Sequence, residues 1–263
     1  MCLYPDLVLN PKYRPNKKNG GNPPPLTDER VKYVPIGCGK CIECTKQRAN
    51  AWRIRLLEHI KTNTNGKFIT LTLSNEQYAD LFSDLEPKQQ SFNYSMENQI
   101  ATLATRRFLE RWRKQFRKSL QHWLVTELGH NGTNNIHLHG IIWTNQSLDT
   151  VEKIWQYGHV WKGKQALVKI GKHTTYKLIN YVNESTIGYI TKYVTKADLR
   201  HKDYTSKILT SPGIGKTYAT SYNARSNKYS TTPGSTNETY RTRTGHKMAL
   251  PIYYRNKIYK TIS

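Results

Sequence analysis

The sequence predicts an α+β fold in which a central antiparallel sheet is flanked by helices. Three observations lead to this class: an alternating segment at 68–73, two strand-like segments separated by a turn-rich stretch, and a long amphipathic segment at 97–119. Strand and helix signals mix without the strict alternation that a parallel sheet requires. An N-terminal arm and a Cys-rich module precede this fold.

Composition limits the classes of function. The chain has 263 residues, and its 41 Lys and Arg against 18 Asp and Glu give a formal charge of +23. Such a surface stores repulsion that phosphates relieve, so a nucleic-acid partner is expected. No apolar run approaches the roughly 18 residues of a membrane span. The first residues show no signal-peptide pattern, so we expect a cytosolic protein with reduced cysteines.

The N-terminal elements follow in order. Residues 1–35 are rich in Pro and Asn without periodicity, which predicts an extended arm, and a Cys-dense turn follows at 38–44. From Ala49 the apolar spacing predicts a helix that Gly66 ends. The alternation of apolar residues and Thr over 68–73 predicts a strand with one buried face.

Residues 97–119 form the longest helical pattern, with an apolar stripe on one side. Its cations lie largely off that stripe and are expected to bind DNA: Arg106, Arg107, Arg113, Lys114, Arg117 and Lys118. Strands at 123–128 and 136–144 are joined by the turn-rich residues 130–135, which predicts an antiparallel hairpin. The remaining predicted elements are a short helix at 149–157, a strand near 165–170 and a helix at 184–199.

His137 and His139 lie two residues apart on the second strand of this hairpin. Because a strand alternates its faces, both imidazoles point the same way while Leu138 points into the core. Glu127 on the partner strand lies about level with them. Two imidazoles and one carboxylate suit a catalytic Mn²⁺ or Mg²⁺ ion; the alternative is a histidine pair that only faces solvent.

A tandem Tyr-x-x-Lys pattern occupies the helix predicted at 184–199. Tyr189 and Tyr193 lie one turn apart on one face, and Lys192 and Lys196 repeat the same offset. Tyrosine can act as a covalent nucleophile, although its ordinary pKa of about 10 keeps it protonated at neutral pH. The alternative is an amphipathic helix that packs two tyrosines on the sheet.

The cysteines form a separate candidate site. Cys38, Cys41 and Cys44 have ligand-like spacing, and Cys2 supplies a fourth thiolate if the arm folds back. Four cysteines make a closed structural Zn²⁺ shell. The alternative is a set of thiols that bind no metal.

Taken in this order, these motifs resemble the replication initiators of microviruses, of the gokushovirus type, within the HUH endonuclease superfamily. The resemblance covers most of the chain. It rests on the motifs around Cys38–Cys44, Trp52–Glu58, Phe68–Thr72, Glu127–Gly129, His137–Gly140, Tyr189–Lys196 and Pro212–Lys216. The family usually has Gly-Glu-Tyr-Gly where Thr126-Glu127-Leu128-Gly129 stands here.

The resemblance implies a rolling-circle initiator that nicks and joins single-stranded origin DNA through a 5′-phosphotyrosine, with metal assistance. Tyr189 and Tyr193 would be the nucleophiles, and Lys192 or Lys196 would stabilise the phosphate or a phenolate. It further implies a phage protein in the cytoplasm of a bacterial host, with host replication proteins as further candidate partners.

The resulting domain prediction has three parts: an arm and Cys module at 1–48, a HUH-type endonuclease domain at 49–200, and a basic segment rich in Tyr, Ser and Thr at 201–263 that packs on it. Two alternatives stay open. A plasmid initiator or a transposase would use the same chemistry. A zinc-containing basic nucleic-acid-binding protein would have no catalysis.

Overall fold

The computed structural model describes residues 2–85, 95–129, 135–170, 173–196, 204–230, 232 and 234–259, in two compact units, 1–48 and 49–263. Its strands are β1 (Asp6–Leu9), β2 (Tyr33–Ile36), β3 (Gly66–Thr72), β4 (Gln121–Leu128), β5 (Ile136–Trp143), β6 (Val160–Trp161), β7 (Lys164–Ile170), β8 (His173–Ile179), β9 (Ile208–Thr210), β10 (Thr239–Arg241) and β11 (Lys247–Ala249). Its helices are α1 (Ile42–Ile60), α2 (Asn75–Ser83), α3 (Ser95–Phe116), α4 (Leu148–Trp155), α5 (Glu184–Thr195) and α6 (Ile252–Ile258). None of these helices combines the length and the apolar character that crossing a membrane requires. The predicted α+β class is confirmed.

In the first unit the N-terminal arm folds back on itself. β1 and β2 pair antiparallel, with Asp6 opposite Ile36, so the arm is a two-stranded ribbon rather than the extended segment predicted. Pro35 lies inside β2, which a ribbon tolerates because each of its strands has a free edge. The pairing brings the residues that precede β1 next to those that follow β2.

The second unit is built on a five-stranded antiparallel sheet in the order β6-β3-β5-β4-β9. β5 occupies the middle, and its pairing with β4 confirms the predicted hairpin; the predicted turn residues 130–134 lie outside the described residues. The register places His137 opposite Glu127 and His139 opposite Thr70. The side chains expected at one site therefore start from neighbouring strands.

Alternation along β5 gives the sheet two different faces. Leu138 and Ile142 belong to a buried cluster with α3 and α4, whereas Ile141 and Trp143 belong to a second cluster with α1 and α5. The sheet is thus the middle of three layers. His137 and His139 have the same parity as Ile141, so they lie on the α5 side.

A third cluster joins the C-terminal segment to α1 through Ile54, around which several tyrosines pack. Beside it, the guanidinium of Arg55 lies 3.9 Å from the ring of Trp52 and 3.8 Å from that of Tyr253. Both Nε and a terminal nitrogen of Arg55 donate to the carbonyl of Ile214 at 3.1 Å. This arginine therefore fixes the loop before residue 216 against α1.

Several boundaries differ from the prediction. α1 begins at Ile42 rather than Ala49 and ends at Ile60, where the carbonyl of His59 accepts hydrogen bonds from residues beyond the helix. Gly66 is therefore not a helix end: it opens β3 and pairs with Trp143. Periodicity predicts neither α2 nor β8, because the first is short and the second is exposed along most of its length. Of the helix predicted at 184–199, residues 197–199 lie outside the described residues.

Gly140 and Gly188 provide a paired test of this packing. A Cβ at Gly140 would lie 2.0 Å from the carbonyl oxygen of Trp123, whereas one at Gly188 in α5 meets nothing within 4 Å. We expect Gly140→Ala to lower the free energy of unfolding by about 3 kcal/mol, and Gly188→Ala to raise it by about 0.5–1 kcal/mol. Urea unfolding of the full chain measures both. Equal stability of the two variants would contradict the tight contact between β5 and β4.

Candidate active site

His139 is held from two sides. Its Nδ1 lies 3.0 Å from the hydroxyl of Thr70, and its Nε2 lies 2.7 Å from Oε2 of Glu127. The residue is 8% exposed. Both ring nitrogens thus have a polar partner inside the protein, which fixes the orientation of the imidazole.

Glu127 connects this histidine to α5. Its second oxygen, Oε1, accepts a hydrogen bond from Nζ of Lys196, the residue that follows the helix. Burial raises the pKa of the Glu127 carboxyl, but hydrogen bonds from His139 and Lys196 outweigh burial, so the pKa lies below its ordinary value. The group is an anion at neutral pH. Lys196 therefore contacts this carboxylate rather than the tyrosine hydroxyls.

His137 lies on the same face, one pleat away. Its ring centroid is 6.1 Å from that of His139. Burial first, and then the neighbouring His139, lowers the pKa of His137, which favours its neutral form. The donor atoms of His137, His139 and Glu127 do not all lie within 4.8 Å of one another. Of the three predicted metal ligands, the structure brings His139 and Glu127 into contact and leaves His137 beside them.

α5 carries the two tyrosines. The helix begins with a capping box in which Asn183 and Thr186 bond to each other's backbone N–H groups. Its buried residues pack on the sheet and fix its rotation: Ile187, Ile190, Thr191 and Val194. Tyr189 and Tyr193 consequently project from the edge of this buried face toward β5.

The two tyrosine hydroxyls are hydrogen-bonded to each other at 2.6 Å, and their rings are perpendicular at 89°. The ring of Tyr193 stacks on His139, with centroids 4.3 Å apart and planes at 4°. Burial, followed by the bond to Tyr189, raises the pKa of Tyr193. Tyr189 is 49% exposed, and its ring meets that of Phe68 edge-on. Lys192 is exposed and forms no ion pair with a described residue.

A cavity of about 950 Å³ opens in front of these residues. Its walls come from β3, β5, β6, the β7–β8 ribbon and α5. The chemically notable lining residues are Phe68, His137, His139, Trp161, Tyr181 and Tyr189. Aromatic walls beside a histidine pair can hold a nucleobase next to a phosphate.

Thr70 is a site residue that the sequence analysis missed. The sequence does contain a pattern that marks it, because Thr70 and Thr72 alternate with the buried Ile69 and Leu71. The alternation placed these threonines on the face away from the larger core. Only the pairing of β3 with β5 shows that this face also carries His139.

The cations predicted to bind DNA lie elsewhere. α3 packs in the cluster that contains Leu138 and Leu124, so it covers the sheet face opposite the histidines. Arg106 pairs with Glu110, and Arg107 pairs with Asp84 at 2.6 Å. The other four predicted cations are exposed and form no ion pair with a described residue: Arg113, Lys114, Arg117 and Lys118. The structure does not bring any of the six to the tyrosine site.

The four cysteines assemble within the first unit. Their Sγ atoms all lie within 4.8 Å of one another, and no other group of three or more His, Cys, Asp or Glu side chains in the described ranges does so. The Sγ atoms of Cys2 and Cys41 are 3.7 Å apart. Four sulfurs bound at about 2.3 Å to a tetrahedral zinc ion lie about 3.8 Å apart, so this spacing fits zinc and excludes a disulfide.

Backbone N–H groups donate hydrogen bonds to the sulfurs of Cys2, Cys38 and Cys41. The N–H of Cys38 donates to Sγ of Cys2, and the N–H of Cys41 donates to Sγ of Cys38, each at 3.3 Å. The N–H groups of Leu3 and then Cys44 lower the pKa of the Cys41 thiol to about 6. A thiolate is the form that binds metal. The cluster could therefore hold a metal such as zinc.

The chain matches one family model, described as Replication-associated protein ORF2, over residues 66–198. This range covers half of the chain and runs from the first residue of β3 to just beyond Lys196. The chain belongs to the Replication-associated protein ORF2 family. Membership indicates a role in rolling-circle DNA replication and confirms the predicted resemblance to replication initiators. No curated protein and no solved structure matches the chain.

The range that matches the family model contains Glu127, both histidines and both tyrosines, whereas the cysteine cluster and the C-terminal segment lie outside it. The paired strands and the tyrosine helix are thus the part this chain shares with the Replication-associated protein ORF2 family.

Metal content tests the cysteine cluster. We expect reduced protein purified without chelator to contain about one zinc per chain, and Co²⁺ in its place to give the intense visible bands of a tetrahedral thiolate site. Cys44→Ser should lose the metal, whereas Lys40→Ser, a change at an exposed position between Cys38 and Cys41, should keep it. Metal-free protein, or Co²⁺ bands that persist in Cys44→Ser, would contradict the assignment.

Proposed function

We propose that the chain is a rolling-circle replication initiator that cleaves and rejoins single-stranded DNA at an origin through a 5′-phosphotyrosine. The observation that carries this proposal is the contact between the hydroxyls of Tyr189 and Tyr193 beside His139. Two tyrosines that served only to pack would not need to meet through their polar ends in front of a cavity. The family's role in replication supplies the substrate class.

The cavity binds the strand around the scissile phosphate. Phe68, Trp161 and Tyr181 offer aromatic surfaces to bases, and stacking of this kind is tolerant of sequence. Bases can reach such walls only when they are unpaired. This requirement favours a single strand over a duplex as the substrate.

Tyr189 makes the first attack. It lines the cavity and is half exposed, whereas Tyr193 lies behind it against His139. Attack of the Tyr189 hydroxyl oxygen on phosphorus forms an ester to the 5′ end and breaks the bond to the 3′ oxygen. The tyrosine proton is balanced by the proton that the released 3′ hydroxyl gains. After one replication round, Tyr193 attacks the next origin copy. The 3′ hydroxyl that this second cut releases displaces Tyr189 from the 5′ end and closes a circle.

The donor set fits a divalent metal ion with one adjustment. Glu127 is an anion and His139 is adjacent to it, so these two would hold the ion, and His137 would complete the set if its side chain rotated. The family resemblance implies Mn²⁺ or Mg²⁺, which would polarise the phosphate and offset its charge. Thr70 keeps the ring of His139 in place. Lys196 pairs with Glu127, and it would supply a cation for the phosphate once the carboxylate held the ion.

The cysteine cluster, in the same proposal, holds a structural zinc ion. Because its four ligands are all protein thiolates, no position is left for substrate. The narrower assignment, a microvirus initiator of the gokushovirus type acting in the cytoplasm of a bacterial host with host replication proteins, also belongs to the proposal.

Tyrosine variants test the nucleophiles. Tyr189→Phe and Tyr193→Phe should each retain some cleavage of single-stranded DNA, with the adduct on the remaining tyrosine. The reason is that the two hydroxyls lie next to each other, so either can reach the same phosphate. The double variant should bind DNA and form no adduct. Denaturing gels and peptide mapping of the adduct measure this. An adduct on another tyrosine would contradict the assignment of Tyr189 and Tyr193 as nucleophiles. A wild-type chain that binds DNA but never forms an adduct would favour the alternative of a nucleic-acid-binding protein without catalysis.

His139→Ala tests the histidine site, with His159→Ala as a matched control because His159 is exposed and lies outside the cavity. We expect His139→Ala to lower the nicking rate by at least 100-fold, about 2.7 kcal/mol of transition-state stabilisation. DNA affinity should stay within severalfold, since cations supply most of it. The control should match the wild type. Undiminished nicking by His139→Ala would remove the histidine from the mechanism.

A further inference from the structure

A second groove, of about 1130 Å³, lies between α1, the start of α5 and the C-terminal segment. Among the described residues, five cations line it against one carboxylate: Arg53, Lys61, Arg225, Arg241 and Arg243, with Glu184 as the acid. None of these residues is in the cavity that holds the histidines. The groove therefore concentrates positive charge outside the site already described.

Most of this charge is available to a ligand. Arg53, Arg225 and Arg241 are exposed and form no ion pair with a described residue. Glu184 pairs with Arg243 at 3.2 Å, but both side chains are more than half exposed, and an exposed pair of this kind contributes little. Exposed cations that form no ion pair attract a polyanion.

The groove also offers an exposed aromatic ring. Tyr222 is 80% exposed, and the guanidinium of Arg225 lies 5.5 Å from its centroid. An exposed tyrosine next to unpaired arginines can stack on a base while the arginines contact its phosphates. This combination favours a single nucleic-acid strand over an acidic peptide, because a base can stack on the ring while its phosphates meet the arginines.

The groove meets the catalytic cavity at the beginning of α5. Glu184 lines the groove, whereas Asn183 and Ser185 on either side of it line the cavity with Tyr189. From Glu184 to Tyr189 the helix rises about 7.5 Å. A strand leaving the cavity can thus enter the groove by passing the first turn of α5.

We propose that this groove, formed by Arg53, Tyr222, Arg225 and Arg241, binds the backbone of the single-stranded DNA that flanks the cleavage site. The inference deepens the proposed function, because it takes the substrate from that proposal. It also moves the DNA path away from the cations of α3, which lie behind the sheet. The C-terminal segment, outside the family match, then contacts the flanking strand together with Arg53 of α1.

The experiment measures binding of fluorescent single-stranded DNA to full-length chains that carry Tyr189→Phe and Tyr193→Phe, so that no covalent adduct forms. Into this background go Arg225→Gln with Arg241→Gln, and separately Arg113→Gln with Lys114→Gln on α3 as the charge-matched control. A third variant, Tyr222→Leu, removes the ring without changing charge. The five positions substituted in this background are exposed, and thermal unfolding checks that each variant is folded.

We expect the groove pair to weaken binding about tenfold and to reduce the slope of log affinity against log salt by about 1.4, the value for two lost phosphate contacts with a single strand. Tyr222→Leu should weaken binding severalfold with an unchanged slope. The α3 pair should stay within twofold of the parent chain. A groove pair that binds like its parent, or an α3 pair that loses as much, would overturn the proposal. No effect of Tyr222→Leu would overturn base stacking there.

Nicking by the wild-type chain is assayed separately. If the wild type forms no adduct while the groove pair still weakens binding, the proposed function fails and the groove stands. If the wild type nicks and the groove pair binds normally, the groove fails and the function stands.

Discussion

β5 is the strand on which the rest of the second unit depends, because it must serve two cores at once. All residues from Leu138 to Trp143 are buried. Large apolar side chains alternate between the α3 side and the α5 side, and Gly140 lets the backbone of β4 approach closely. The position of His139 is therefore set by the packing of both cores. Its own polar contacts only orient the ring.

Local patterns carried a large part of this architecture. Alternation and turn chemistry predicted the hairpin of β4 and β5, and the i, i+4 rule placed Tyr189 and Tyr193 on one face. Both signals depend on residues close in sequence. The contact of Tyr193 with His139 joins segments more than fifty residues apart, and only the packing of α5 on the sheet determines it.

The same difference between local patterns and long-range contacts explains what the sequence did not predict. Helical periodicity shows which side of α3 is polar, but it cannot show which face of the sheet that helix covers. Lys196, one of the two lysines expected to stabilise a phosphate or a phenolate, contacts Glu127 because the end of α5 reaches β4. The ribbon of β1 and β2 has no periodic pattern, since its short strands are stabilised by pairing with each other and contain Pro35.

Electrostatics within the site is organised before any ligand arrives. Glu127 is largely buried, and an unpaired carboxylate there would be costly; His139 and Lys196 each satisfy one of its oxygens. Two segments distant in sequence thereby converge on one anion. The total charge of +23 favours a polyanionic partner, whereas the distribution of ion pairs decides which cations remain available to it.

The contact between the two tyrosine hydroxyls has a consequence for how a cut strand is kept. In the proposed reaction, the 3′ hydroxyl that one tyrosine releases must reach the 5′ end that the other tyrosine holds. Because the two tyrosine hydroxyls are 2.6 Å apart, both of these ends would lie within the length of one nucleotide. One turn of α5 therefore carries both of the proposed nucleophiles.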